Sequence, residues 1–190
     1  EKVKATGEER VIAARDNRLS SPELHRALIA GIQRSGLQVI DIGQAATPMF
    51  YYSMEHFEVP CGLIVTASHN PGDENGFKIA MEKTTIFGEK IQELKDEMLR
   101  ICRSEGVPKT FSVRPDLVRE ADIEGPYLSM LQDKIQLGPR KLKVVADCGN
   151  GTTSPFVPKA LEAWGCRVIP LYCESNPGFP NHHPDPVVPE

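Results

Sequence analysis

RVIAA (10–14), SPELHRALIAGIQRSG (21–36), LQVIDIG (37–43), TPMFYYSMEHFE (47–58) and CGLIVTA (61–67) alternate short apolar runs with longer amphipathic ones. The period switches between strand-like and helix-like, so this stretch reads β-α-β-α-β. The first helix has two overlapping start signals: Ser20 with Glu23 fits a capping box, and Ser21 before Pro22 fits an N-cap with proline at the first helical position. The strands lack clean polar alternation, as expected when both sheet faces are covered by crossover helices. The implied class is α/β: a three-layer α/β/α arrangement around mixed, mostly parallel sheets.

Downstream, TASHNPGDENG (66–76) is almost free of apolar residues and dense in turn formers, hence a loop. FKIAM (77–81) resumes as a strand, read as an antiparallel return alongside 61–67. GEKIQELKDEMLRICRSEG (88–106) is helical, with Ile91, Leu94, Met98 and Ile101 on one stripe and a closing glycine. A first unit therefore spans 1–106. Residues 107–122, including VPKTFSVRPDLVRE with its two prolines, read as a linker or extended excursion. The second unit, 123–190, shows a helix (123–137), a strand (142–148), a glycine-rich turn, a helix (154–165), a strand (166–172) and the proline-rich NPGFPNHHPDPVVPE. With two strands it buries little of its own surface, so this second unit is expected to be incomplete.

Of the 190 residues, 40% are hydrophobic, an ordinary globular share. Lys and Arg number 22 against 26 Asp and Glu, and the basic residues are scattered, which argues against a nucleic-acid partner. No apolar run approaches the roughly 18–20 residues that cross a bilayer, and the opening EKVKATGEER lacks the apolar core of a signal peptide. The expectation is a cytoplasmic protein without a membrane partner. Five well-separated cysteines, none spaced C-x-x-C, argue against a disulfide framework or a zinc knuckle, and most of them read as small buried residues in a reducing compartment.

Ser68 lies just past a buried strand, where α/β sheets present their chemistry. The antiparallel return brings Lys78 to the same edge, so a cation faces the hydroxyl, suited to phosphate or to proton transfer. A decorated hairpin loop with a capping serine is the plainer alternative. A hydrolase triad is disfavoured because His69 is the immediate neighbour of Ser68 and no G-x-S-x-G surrounds it. DCGNGTT (147–153) lacks the spacing of a phosphate-binding fingerprint and reads as a tight turn. His182, His183 and Asp185 suggest either a metal cluster or, given the interleaved prolines, a rigid loop. Arg15, Asp16 and Arg18 suit a salt-bridged turn or a phosphate contact.

TASHNPGDENGFKIA (66–80) resembles the phosphoserine loop and following strand of the α-D-phosphohexomutases, most closely their phosphomannomutase/phosphoglucomutase branch. The similarity extends, in order, through AARDNRLSSPEL (13–24), DIGQAATPMFYYS (41–53), VVADCGNGT (144–152) and FPNHHPDPVVPE (179–190). The resemblance implies an isomerase that interconverts glucose or mannose 1- and 6-phosphates through a bisphosphorylated intermediate. Ser68 would carry the phosphoryl group and, through its phosphate, ligate Mg²⁺; His69 and Lys78 would act beside the transferring group. The family's Asp-rich metal loop, sugar-reading segments and opening strand are not in these residues. The expectation is thus a partial copy of two incomplete domains, most of the first and part of the second, inactive alone. The alternatives are a non-catalytic sugar-phosphate-binding module or the phosphoglucosamine mutase branch.

Overall fold

The computed structural model describes every residue except 1, 2, 5, 6, 83, 109, 186 and 188–190. Six strands form one sheet: β1 (Arg10–Arg15), β2 (Gln38–Gln44), β3 (Gly62–Val65), β4 (Phe77–Met81), β5 (Thr84–Thr85) and β6 (Val118–Glu120). Their order is β5-β4-β3-β1-β2-β6. β1 pairs in parallel with both β2 and β3, and β2 with β6, while β4 and β5 add antiparallel at the far edge. The sheet is therefore mixed and mostly parallel.

The connecting helices α1 (Ser21–Arg34) and α2 (Thr47–His56) cover opposite faces, as the side chains of the central strands show. Ile12, Ala14, Ile40 and Ile42 pack with Met49, Phe50 and Met54 of α2, whereas Ala13 and Val39 pack with Ile29 of α1. Successive residues of β1 thus enter different cores, which is why its sequence reads as a continuous apolar run. Gly62 is required by this packing: a Cβ there would stand 2.7 Å from the Phe50 ring.

A second, two-stranded parallel sheet is made by β7 (Lys143–Asp147) and β8 (Arg167–Leu171), with α4 (Glu124–Lys134) before it and α5 (Val157–Ala163) between its strands. Ile123 and Phe156 are buried in the same cluster as Ile12 and Met49, so the two units share apolar packing. Tyr52 of α2 meets Tyr127 of α4 at 5.6 Å between ring centroids.

Three readings need correction. The extended segment 107–120 is not wholly a connection, because its last three residues are β6, paired with β2 in the first sheet. The capping box at Ser20 and Glu23 does not form: α1 starts at Ser21 with no side-chain cap. Its serine hydroxyls serve the neighbouring loops instead, Ser21 donating to Asp16 and Ser20 accepting from Asn75. Most of the cysteines are not buried, only Cys61 and Cys166 being so, while the helix read at 88–106 forms as α3 (Glu89–Glu105) and keeps its apolar stripe at the surface, with Met98 58% exposed and no residue of the helix buried. No helix among the described residues is long and apolar enough to cross a membrane.

Candidate active site

The strand order β3-β1-β2 sets the loops leaving β1 and β3 side by side at the carboxyl edge of the sheet, the usual ligand position in such sheets. Asp16–Arg18 leave β1 there, and the Thr66–Gly76 loop leaves β3. The loop closes on itself: the Thr66 amide donates to the Gly76 carbonyl at 2.9 Å, and β4 returns with Lys78 opposite Ile64. Asn70 and Glu74 add a side-chain hydrogen bond of 2.7 Å, and Asn75 ties the loop to Ser20 and Ser21 at the start of α1.

Ser68 sits in the left-handed region at φ 57°, a conformation that costs a non-glycine residue about 1–2 kcal/mol. Its amide donates to Thr66 Oγ1 at 3.2 Å, and its carbonyl is held by Arg18. Arg18 is 2% exposed, and each of its guanidinium N–H groups has an acceptor. Nε donates to Asp16 Oδ2 at 3.2 Å; Nη1 donates to the Pro71 carbonyl and, at 3.3 Å, to that of Glu74; Nη2 donates to the carbonyls of Ser68 (3.0 Å) and Asn70 (2.8 Å). The choice left open by the sequence is decided for this residue. Arg18 is the scaffold of the serine loop, with no donor left over for a phosphate.

Ser68, His69 and Lys78 line one cavity of about 420 Å³. Lys78 and His69 make no side-chain hydrogen bond or ion pair among the described residues, so both are available to a ligand. Asp16, in contrast, is committed to Arg18 and Ser21.

The far wall comes from the second unit. The 147–153 segment is a tight turn: Asp147 Oδ1 accepts from the Gly149 amide at 2.9 Å and from His182 Nε2 at 3.0 Å. The His182 hydrogen bond holds the Asp147 carboxyl below its ordinary range. His182 Nδ1 lies 2.9 Å from the His183 carbonyl, so both ring nitrogens are held within hydrogen-bond distance of oxygen atoms. Asn17 joins the two walls. Its Nδ2 donates to the Asn150 carbonyl (2.9 Å) and Ser175 Oγ (3.0 Å), and its amide and Oδ1 both contact Thr152 Oγ1 at 3.1 Å. Phe179 lies beneath the serine loop, 5.6 Å from the Arg18 guanidinium carbon and close enough to Gly72 that a Cβ there would meet its ring at 3.1 Å.

Asn17, Asn150 and Thr152 escaped the sequence reading because their partners lie more than a hundred residues away in the chain; only the spatial register reveals them. The histidine cluster divides: His182 faces Asp147, while His183 and Asp185 bond within their own turn. Pro186 and 188–190 of the FPNHHPDPVVPE segment lie outside the described residues. No group of three His, Cys, Asp or Glu among the described residues is placed to hold a metal. The oxygen donors of the side chains lining the cavity are the hydroxyls of Ser68 and four threonines, the Asn17 amide, and the carboxylates of Asp16 and Asp147, both already committed to other partners, so no free carboxylate among these residues is left for a resident Mg²⁺, which is usually held through one or two carboxylates together with phosphate oxygens and water.

Comparison with known proteins places the chain in a family. Phosphoglucomutase/phosphomannomutase alpha/beta/alpha domain I matches residues 1–104, and domain II matches residues 125–190. A phosphomannomutase/phosphoglucomutase of Pseudomonas aeruginosa is 43% identical over 186 residues, covering 98% of this chain and 38% of that protein. A phosphoglucomutase of Neisseria meningitidis serogroup B is 38% identical and is covered to 40%. A crystal structure of a phosphoglucomutase/phosphomannomutase family protein from Burkholderia thailandensis superposes with a TM-score of 0.84 at 35% identity, covering 98% of this chain and 41% of that one. The chain spans about two fifths of the length of these relatives. With two successive domains matched over nearly all its residues, the chain belongs to the phosphoglucomutase/phosphomannomutase family.

Proposed function

We propose that this chain carries the phosphoryl-donor portion of a hexose phosphate mutase that interconverts glucose or mannose 1- and 6-phosphates. The observation that carries the reading is the placement of Ser68: a serine in a strained backbone conformation, its loop gripped through four carbonyls by one buried arginine, at a cavity with two uncommitted basic side chains. A surface hairpin has no need of such a clamp. A phosphoryl carrier does, because phosphoryl transfer depends chiefly on positioning and electrostatic stabilisation.

In this reading phosphorylated Ser68 places about −1.5 to −2 charges in the cavity, and Lys78 and His69 offset them. A substrate hydroxyl attacks the phosphorus, the Ser68 Oγ–P bond breaks as the new O–P bond forms, and the hydroxyl proton passes to a neighbouring base, for which Lys78 and His69 are the candidates. The bisphosphate turns over and returns its other phosphoryl group to Ser68. Mg²⁺, implied by the family resemblance, would stabilise charge on the transferring group. Its ligands are too few in this chain, and so are the contacts for a second substrate phosphate, so residues 1–190 alone are expected to show no turnover. The two α/β units, 1–106 and 123–190, form opposite walls of the donor site, and a cytoplasmic setting accords with the five free thiols.

Peptide mass spectrometry tests the proposal. Full-length protein incubated with a hexose 1,6-bisphosphate is expected to carry phosphate on Ser68, and to lose it on addition of a hexose 1-phosphate. A serine that never becomes phosphorylated rules out the carrier role.

A further inference from the structure

The structure brings together two cysteines that lie far apart in the sequence. Asp147 pairs with Leu171 at the ends of the parallel strands β7 and β8, so the residues that follow leave the same sheet edge side by side. The Cys148 amide donates to the Leu171 carbonyl at 3.0 Å, and the Asn150 amide to that of Tyr172 at 2.8 Å. Tyr172, at φ 50°, turns the chain back, and Cys173 Sγ arrives 3.1 Å from Cys148 Sγ. Both thiols are free and half-buried. Cys173 Sγ also lies 3.4 Å from the Ala146 carbonyl and 3.3 Å from that of Leu171, which points it toward Cys148. Cys61 and Cys166 are buried elsewhere and Cys102 is exposed on α3.

We propose that Cys148 and Cys173 are an oxidisable dithiol, closed to a disulfide by a peroxide, that stiffens the turn walling the Ser68 cavity. The sulfurs need to approach by only roughly 1 Å to bond, and the backbone hydrogen bonds between the two turns already hold them in register. Burial and the neighbouring Cys173 sulfur push the Cys148 thiol up to about 12. Cys148 is therefore held as the thiol at neutral pH, which favours the other sulfur for the first step. Cys173 sulfur attacks a peroxide oxygen, an S–O bond forms as O–O breaks, and the thiol proton leaves with the departing hydroxide as water. Cys148 sulfur then attacks that sulfenic acid; S–S forms, S–O breaks, and the Cys148 proton completes a second water. Two thiols are oxidised by two electrons, and one peroxide is reduced to two waters. Cys148 lines the cavity, and the adjoining Asn150 carbonyl and Thr152 hydroxyl carry the contacts to Asn17, so the crosslink acts on the wall opposite Ser68. This holds whatever group Ser68 transfers.

The test treats the reduced native chain with stoichiometric hydrogen peroxide, blocks remaining thiols with N-ethylmaleimide and digests with trypsin. Cleavage after Lys143, Lys159 and Arg167 separates the three cysteines of the second unit. The expected product is peptide 144–159 linked to 168–190, released by dithiothreitol, with Cys166 in peptide 160–167 still alkylated. In Cys102→Ser the link persists; in Cys173→Ser, Cys148 remains an alkylatable thiol. Slower amide exchange at Asn150 and Gly151 in the oxidised chain is the expected mark of stiffening. Recovery of both cysteines as alkylated monomers, their separate oxidation to sulfinic acids, or a link to Cys102 overturns the pair. A link with unchanged exchange overturns its effect on the wall.

Discussion

Replacing Arg18 by methionine tests the scaffold of the serine loop directly. The substitution keeps a long apolar stem against Phe179 but removes every donor of the guanidinium. Asp16 is left buried without its cation, and the carbonyls of Ser68, Asn70, Pro71 and Glu74 lose a shared partner. Removing one member of a buried ion pair costs about 3–5 kcal/mol, and the loop carbonyls, open in part to water, add less than the roughly 0.5–1.5 kcal/mol each of an ordinary hydrogen bond. A loss of about 4 kcal/mol is expected by urea unfolding, a large share of the ~5–15 kcal/mol typical of a domain. Arg18→Lys, with three donors in place of five, should lie about midway. Native-state amide exchange localises the effect: Asn70 and Glu74, whose amides close the loop turns, should exchange faster by a larger factor than Ile12 in the sheet. In full-length protein, Arg18→Lys should slow Ser68 phosphorylation by at least about tenfold, because a displacement on the order of 1 Å at a reacting group is that costly. Unfolding of Arg18→Met within about 1 kcal/mol of wild type, with unchanged exchange at Asn70 and Glu74, would refute the clamp.

In full-length protein, Lys78→Met should lower kcat by about 10²-fold or more with the fold intact by circular dichroism, and wild-type kinetics would return Lys78 to the surface. Burial raises the Asp41 carboxyl, but the His25 hydrogen bond at 2.9 Å, the His25 charge and the Gly43 amide together outweigh it and hold the group below its ordinary 3.8. The resulting stability is present above that value and lost as pH falls through the lower folded-state value. His25→Gln should therefore flatten the fall in unfolding free energy between roughly pH 5 and 2, measured by urea titration. Gly149→Ala should destabilise by about 1–2 kcal/mol, since φ is 51° and the new Cβ would stand 2.9 Å from His182 Cε1; a neutral result would show that the turn relaxes freely.

Much of the serine-loop side of the cavity was legible in the sequence because its determinants are local. The β-α-β-α-β periodicity of 10–67 specifies a parallel layer, a turn-rich break after Ala67 specifies a loop at its carboxyl edge, and an antiparallel return of 77–81 brings Lys78 to the same edge. Capping was misread at Ser20 for a related reason: the pattern states which residue can cap, while competition from Asp16 and Asn75 decides what the hydroxyls do.

Where an interaction spans the chain, local pattern is silent. Arg18 looked equally suited to a phosphate and to a salt-bridged turn, and what resolves it is the arrival of four carbonyls from a loop some fifty residues on. Asn17 meeting Asn150 and Thr152, Phe179 beneath Gly72, and Cys173 beside Cys148 are of the same kind. Propensity and hydrophobic period encode the direction of each backbone segment within a turn or two. The order β3-β1-β2, and the packing of Ile123 and Phe156 onto the first core, follow from the free energy of the whole chain burying its apolar faces together. The sequence alone thus determined the elements and the serine that one loop presents, and tertiary packing decided which distant groups hold that serine and wall its cavity.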